Sequence, residues 1–207
     1  GRRAGAPQVL DRPPARPRPA VQSSRGAARP VDLPADLSAA VRRLCRQEDV
    51  TPFMALLAAW AVLLGRHAGQ DDLLLGSPIA GRNRREIEDL IGFFVNTLVL
   101  RADLSGNPSF RTLLGRVRED ALEAFNHQDL PFERLVEELV SERDLSRSPL
   151  FQVLFVLQTA PAGGLSLPGL SLEPLAVDGG AAKLDLTLTL GEGPSGFSGG
   201  LEHNTDL

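Results

Sequence analysis

Segments with helical periodicity alternate along this chain with short runs that are typical of β-strands. One helix face is marked by apolar residues at i, i+4, i+7 and i+8: Leu37, Val41, Leu44 and Cys45. Near the end of the chain, KLDLTLTL (183–190) alternates leucine with Asp or Thr, which predicts a strand with one buried face. Elements mixed in this way predict an α/β fold with some antiparallel pairing.

Local signals place the other elements. Thr51-Pro52 combines an N-cap residue with a proline at the first helical position, and Gly65 is a candidate end for that helix. A longer helix is predicted from about Ser109 to Asn126. Residues 72–80 predict a short buried strand, and residues 91–101 (IGFFVNTLVLR), apolar on both faces, predict an interior strand.

Composition excludes several classes of protein. With 43% apolar residues, the 207-residue chain can bury a substantial core, and it has no run of 18 apolar residues to cross a membrane. Its net charge of −4 argues against a nucleic-acid-binding surface. A single cysteine and three widely separated histidines give no metal-ligand spacing, so no metal site is expected.

Residues 1–30 differ from the rest of the chain because they hold seven arginines, six prolines and no apolar periodicity. Such a segment is expected to run as an extended strap, and residues 31–207 as one folded unit. A basic arm for nucleic acid or anionic lipid is the alternative, but no aromatic residue interleaves with the arginines.

The sequence contains no complete catalytic site: it lacks the nucleophile elbow, the Walker loop and the dinucleotide fingerprint. Asn96 interrupts an apolar strand, so its amide either bonds neighbouring backbone or points into a polar cavity. His127 and Asp129 are interpreted as the end of one helix and the cap of the next, although a base with a nearby carboxylate is the alternative. Arg143, Asp144 and Arg147 are expected to form ion pairs that fix a polar turn.

Three blocks in order carry a resemblance to a known family: IGFFVNTLVLR (91–101), HQDLPFERLV (127–136) and RDLSRSPLF (143–151). They resemble the C-terminal signature motifs of nonribosomal peptide synthetase condensation domains. The segments at 16–26, 69–84 and 201–207 are also similar to that family, although Ser148 stands where the family usually has Asn.

The resemblance implies the C-terminal lobe of a two-lobed fold similar to chloramphenicol acetyltransferase. In this family an amine attacks a thioester in a tunnel between the lobes, and both substrates arrive on the phosphopantetheine arms of carrier proteins. The family's HHxxxDG motif, with its expected histidine, is absent from this sequence. The chain alone is therefore expected to be inactive, to bind no cofactor directly, and to work in the cytoplasm with carrier domains, an N-terminal lobe and a downstream adenylation domain.

By the same resemblance, the candidates for the substrate tunnel are Ser77, Asn96 and His127. No residue of this chain is assigned as catalytic. The remaining motif residues are expected to be structural: Gly92, Asp129, Pro131, Phe132, Glu133, Arg143, Asp144, Arg147 and Pro149. The open alternatives are an epimerisation or heterocyclisation relative and a non-catalytic module that binds carrier proteins.

Overall fold

The computed structural model describes residues 18–82, 85–88, 90–142, 144–158, 170 and 179–207. In chain order, its elements are β1 (Gly26–Asp32), α1 (Ala35–Glu48), α2 (Pro52–Ala68), β2 (Asp72–Ile79), α3 (Arg85–Glu88), β3 (Asn96–Asp103), α4 (Phe110–Asn126), α5 (Phe132–Leu139), β4 (Val153–Gln158), β5 (Leu186–Gly193) and β6 (Gly196–Asn204). The side chains of Thr51 and Ser109 accept first-turn backbone N–H groups and so begin α2 and α4, as predicted.

The six described strands form one mixed sheet in the order β1-β6-β5-β4-β2-β3. β4 lies parallel to both of its neighbours, β2 and β5. The other three pairings are antiparallel, and the tight connection from β5 to β6 closes a hairpin. The predicted combination of α/β architecture and antiparallel strands is confirmed.

Helices α1, α2 and α4 cover one face of the sheet and bury its apolar side chains. Leu73, Leu75 and Phe155 on this face have no exposed surface. On α1 the buried positions are Ser38 and Cys45, and the Ser38 hydroxyl donates to the Leu33 carbonyl and accepts from the Phe197 N–H. The predicted apolar stripe on α1 is therefore partly wrong, since Leu37 remains 49% exposed.

Helix α2 continues beyond its predicted end at Gly65 and closes at Gly69, which adopts a left-handed conformation with φ of 66°. Gly65 therefore lies inside the helix, at a point where the chain that follows α2 passes close to it. A Cβ at this position would lie 2.8 Å from the Gln70 carbonyl oxygen. Close packing, and not helix termination, explains this glycine.

The prediction of an interior strand over residues 91–101 is wrong in both position and extent. β3 begins at Asn96 and lies at the edge of the described sheet. Its apolar pattern arises because α4 covers Leu98 and Leu100, while Val99 on the other face is half-buried. Residues 90–95 precede the strand, and there Ile91 is fully exposed and Phe93 is 90% exposed.

The expected boundary after residue 30 falls inside β1, so residues 26–30 belong to the sheet. Seven backbone positions of β1 pair with β6, and this ladder fixes them in the folded unit. The described part of the strap before β1 is bonded to the same lobe. Arg18 forms an ion pair with Asp185, and the Gln22 N–H donates to the Leu145 carbonyl at 2.8 Å. Residues 1–17 of the predicted strap lie outside the described residues.

Among the described residues, no single helix has both the length and the apolar composition to cross a membrane. In the same part of the chain, α1 and α2 meet these two criteria when taken together, and they are bent by 108° relative to each other.

Candidate functional site

A groove of about 930 Å³ lies between α5 and the loop residues 141–142 and 144–150. Its apolar lining includes Phe132, Val136, Leu139, Leu145, Pro149 and Leu150. Its polar lining includes Gln22, Glu133, Asp144, Arg147 and Lys183. Two of the three signature blocks and the strap therefore meet around one surface depression.

The loop wall of the groove is held by Asp144. Its carboxylate accepts hydrogen bonds from the Ser146 N–H at 2.9 Å and the Ser146 hydroxyl at 2.6 Å. Arg147 Nε completes the arrangement at 2.8 Å from the same carboxylate. The Ser146 hydrogen bonds, aided by the Arg147 charge, lower the pKa of Asp144 below its usual range. Asp144 thus holds the loop as a carboxylate, while Arg143 lies outside the described residues.

The helix wall of the groove rests on the sheet face opposite to α1, α2 and α4. Phe132, the first residue of α5, packs on Phe151 with ring centroids 5.5 Å apart. Phe151 in turn covers Gly76 of β2, where a Cβ would lie 2.8 Å from the Phe151 ring carbon Cδ2. The absence of a side chain at Gly76 therefore makes room for the aromatic pair that supports α5.

Asn96 connects the first signature block to the second. Its Nδ2 group donates to the carbonyls of Gln128 and Leu130, each at 2.8 Å. Its Oδ1 atom accepts from the Thr97 N–H at 2.9 Å and from the Phe132 N–H at 3.1 Å. The side chain thus bonds backbone, which is the structural alternative that the sequence leaves open.

The turn between α4 and α5 presents its polar side chains to solvent. His127 closes α4, and its ring is exposed. Asp129 is also exposed, and the Phe132 N–H at the start of α5 donates to Asn96 Oδ1. Pro131 occupies the N-cap position without a side-chain cap. Asn96, 36 positions before Phe132, therefore accepts a first-turn N–H of α5, a role that the sequence predicts for Asp129.

Ser77 and Gly92 lie away from the groove. Ser77 is 3% exposed and shares the helix-covered face of β2 with Leu73 and Leu75. Gly92 belongs to the exposed segment 90–95, whose Phe94 ring lies 4.5 Å from the guanidinium carbon of Arg82. The structure therefore gathers Asn96 and the 127–136 and 144–150 blocks, but leaves these two predicted site residues elsewhere.

The groove is suited to binding and positioning a partner. In the described ranges, no group of three His, Cys, Asp or Glu side chains could hold a metal ion. Cys45 is buried on α1, and burial raises the pKa of its thiol, so it is a poor nucleophile. Sequence reasoning missed Gln22, Leu139 and Lys183 as groove residues. The signal for Leu139 is its spacing from Phe132 and Val136, which places these three apolar residues on one face of α5.

An α/β lobe with these blocks around one groove defines a condensation-type fold, and comparisons with known proteins agree. The family model described as "Condensation domain" matches residues 2–207. One of the linear gramicidin synthase proteins of Brevibacillus parabrevis is 57% identical over 205 residues, which is 98% of this chain and 3% of that protein. The chain belongs to the condensation domain family of nonribosomal peptide synthetases.

Solved structures show the same fold. A four-domain nonribosomal peptide synthetase, holo-AB3403 bound to AMP and glycine, matches with a TM-score of 0.85 and 27% identity over 93% of this chain and 16% of that one. The X-domain from teicoplanin biosynthesis, solved in complex with OxyB, matches with a TM-score of 0.81 and 32% identity over 93% of this chain and 43% of that one. The expected fold class, a lobe of the chloramphenicol acetyltransferase-like condensation fold, is confirmed. The chain spans only a small part of its curated relative and less than half of the X-domain chain.

Proposed function

We propose that this chain forms one lobe of a condensation domain that joins a carrier-bound acyl donor to a carrier-bound amine through an amide bond. In this reaction the amine nitrogen attacks the thioester carbonyl carbon, the carbon–sulfur bond breaks, and the thiol leaves as the amine loses a proton. The phosphopantetheine arms belong to the carrier proteins and enter as parts of the substrates. The role of this chain is to hold one wall of the substrate path.

The observation that carries the proposal is the convergence of the family's signature blocks on one surface. Asn96 bonds the backbone of the 127–132 turn, and α5 and the 144–150 loop then form the two walls of the groove. The partially exposed Leu139 and Leu145 line this groove, which is a surface suited to a partner polypeptide or a substrate arm.

A second surface supports an inter-lobe role. The segment 90–95 exposes Ile91 and Phe93 directly before β3, and exposed aromatic and aliphatic side chains in sequence mark an interaction site. We propose that this segment contacts the second lobe of the domain. Carrier domains and an adenylation domain are the further partners that a multidomain synthetase of this family provides.

The isolated chain is expected to form no amide. Orientation of two substrates contributes on the order of 7–11 kcal/mol to such a reaction, and acid–base assistance a further factor of about 10²–10⁴. The chain offers one wall of the path, and the expected histidine of the family lies in the motif that this sequence lacks. Both contributions therefore depend on the second lobe.

The test compares the 207-residue chain with the complete condensation domain that carries it, each mixed with donor-loaded and acceptor-loaded carrier proteins. Mass spectrometry of the acceptor carrier should detect a dipeptidyl thioester with the complete domain and none above background with the chain alone. Loss of one further water would indicate heterocyclisation, and inverted chirality without a new amide would indicate epimerisation. Product formation by the chain alone would contradict the dependence on the second lobe.

A non-catalytic interaction module is the second candidate. It is favoured by the likeness to the X-domain, which was solved in complex with OxyB. In that case, the complete domain would bind loaded carriers or another protein measurably by calorimetry but would leave both thioesters unchanged. The same reaction mixtures therefore separate the two candidates.

A further inference from the structure

We propose that Asn96 is a positioning residue for the amide-forming reaction: its carboxamide sets the conformation of the 127–132 turn and thereby the placement of His127 and α5. This inference rests on the proposed function. It starts from the observation that one side chain bonds four backbone groups on two separate segments.

The partners of Asn96 fix the direction of its carboxamide. The backbone carbonyls of Gln128 and Leu130 can only accept, so the end of the carboxamide that faces them must be the donating Nδ2 group. Two backbone N–H groups, of Thr97 and Phe132, can only donate, so they define Oδ1. Every common natural replacement loses part of this set: Asp lacks the donors, Ala lacks both halves, and Gln displaces the group by one methylene.

Asn96 adds side-chain bonds to those that the backbone of this turn makes for itself. The Leu130 N–H donates to the His127 carbonyl at 3.1 Å and the Gln128 N–H to the Phe125 carbonyl at 3.3 Å, while Pro131 has no N–H to donate. The two Nδ2 bonds hold residues 128 and 130, which lie directly between the end of α4 and the start of α5. Rotation of this turn would redirect the exposed His127 ring and tilt α5 away from Phe151.

For the 127–132 turn, the geometry that Asn96 imposes matters more than the stability that its hydrogen bonds contribute. Displacement of a reacting group by about 1 Å can lower a rate by about 10²-fold even where the protein stays folded. The Oδ1 half of Asn96 caps α5, whereas the Nδ2 half holds the turn. Replacement by Asp therefore removes the Nδ2 half alone, and replacement by Ala removes both halves.

The experiment measures turnover in the complete condensation domain with loaded carriers for Asn96→Ala, Asn96→Asp and a control, Ser109→Ala. The control removes a comparable N-cap bond, which the Thr112 N–H of α4 donates to the Ser109 hydroxyl oxygen, at a helix end that takes no part in the groove. Asn96→Asp keeps an acceptor for the Phe132 N–H and loses both donors. Hydrogen exchange at the Phe132 amide reports whether the cap persists.

We expect Asn96→Ala and Asn96→Asp each to lower kcat by at least about tenfold, with KM for the acceptor-loaded carrier within about threefold of wild type. Phe132 exchange should accelerate in Asn96→Ala and stay near wild type in Asn96→Asp. The control should keep kcat within about twofold, which is the effect of a lost cap remote from the reaction.

Two outcomes overturn the proposal. One is a kcat for Asn96→Ala that matches Ser109→Ala while circular dichroism shows both variants folded. The other is a wild-type kcat in Asn96→Asp, because the cap alone would then suffice. Absence of amide formation by the wild-type domain would instead reject the proposed function, so the two failures are distinguishable.

Discussion

The two faces of the sheet differ in what covers them. Under α1, α2 and α4, side chains such as Leu73, Val153 and Phe155 are completely buried by residues of this chain. On the opposite face, α5 and its following loop leave Leu139 and Leu145 64% and 67% exposed. The first face is closed by the chain itself, whereas the second keeps apolar surface available for a partner.

The forces that hold the two faces also differ. The helix-covered face is stabilised mainly by apolar burial, which depends on the composition and spacing of each element. The groove face is held by directed bonds to backbone, from Asn96 to the 127–132 turn and from Asp144 to its loop. Such bonds contribute modest stability but define position closely. Stability is therefore concentrated on one face and positional specificity on the other.

The largest difference in the free energy of unfolding is expected between the Phe155→Ala and Phe93→Ala variants of the 207-residue chain. Loss of the buried Phe155 ring should lower the free energy of unfolding by about 3–5 kcal/mol, since it leaves a cavity under the helices. Loss of the exposed Phe93 ring should change it by less than about 0.5 kcal/mol. Urea denaturation measures both values.

The same pair sharpens the proposed inter-lobe contact. If the second lobe covers Phe93, Phe93→Ala should cost about 1.5–3 kcal/mol in the complete domain. If Phe93→Ala has the same small effect on the free energy of unfolding in the isolated chain and in the complete domain, segment 90–95 is not part of the interface. A large effect already in the isolated chain would show that this chain packs the ring itself.

A smaller difference in the free energy of unfolding is expected between alanine substitutions at two glycines. Gly76→Ala should lower the free energy of unfolding by about 1–3 kcal/mol, because its Cβ collides with the Phe151 ring and must displace it. Gly115→Ala should raise it by about 0.4–1 kcal/mol, because α4 has open space at that position. Thermal unfolding followed by circular dichroism gives both shifts. Equal destabilisation by the two changes would contradict the close approach at Gly76.

The smallest effects concern two carboxylates whose pKa values move in opposite directions. Partial burial of Asp120 on α4 raises its pKa, whereas the Ser146 hydrogen bonds and the Arg147 charge lower the pKa of Asp144. Carboxyl carbon NMR should show Asp120 titrating above about 3.9 and Asp144 below it, with Asp120→Asn and Asp144→Asn assigning the signals.

The two shifts have opposite consequences for stability as pH falls. The penalty for the charged Asp120 is present above its raised pKa and is relieved as pH falls through that value. The stability contributed by the Asp144 carboxylate is present above about pH 4 and is lost as pH falls through its lowered pKa. Titration of both carboxyls at the same pH would contradict the difference between their surroundings.

Sequence reasoning predicted the helix-covered face better than the groove face for a physical reason. Helix periodicity and the caps at Thr51 and Ser109 are local, and each is complete within a few residues. On the groove face, Asn96 reaches Phe132 across 36 residues. Under the helices, the Ser38 bond to Phe197 joins positions 159 residues apart and was missed for the same reason. No spacing rule predicts such partners.

The edge position of β3 was missed for a related reason. An apolar pattern on both sides of a strand reports that both faces are covered, but it says nothing about hydrogen-bonding neighbours. In β3 the cover comes from α4 on one side and partly from the groove elements on the other. Residues 91–95, which are exposed except for the partly buried Phe94, continue the same apolar run, so the sequence pattern extended the predicted strand over them.

The pairing of β1 with β6 has a consequence for how the chain folds during synthesis. Asn204 donates to the Ser23 carbonyl, 181 residues earlier, and β1 has no other strand neighbour in the described sheet. At about 5–20 residues per second, a ribosome needs roughly 10–40 s to make the intervening polypeptide. During that interval β1 emerges without its partner, while the hairpin β2–β3 and helix α4 can already assemble. Among the described strands, the first to leave the ribosome is thus among the last to join the sheet, and Arg29 and Pro30 within it discourage pairing with other nascent chains.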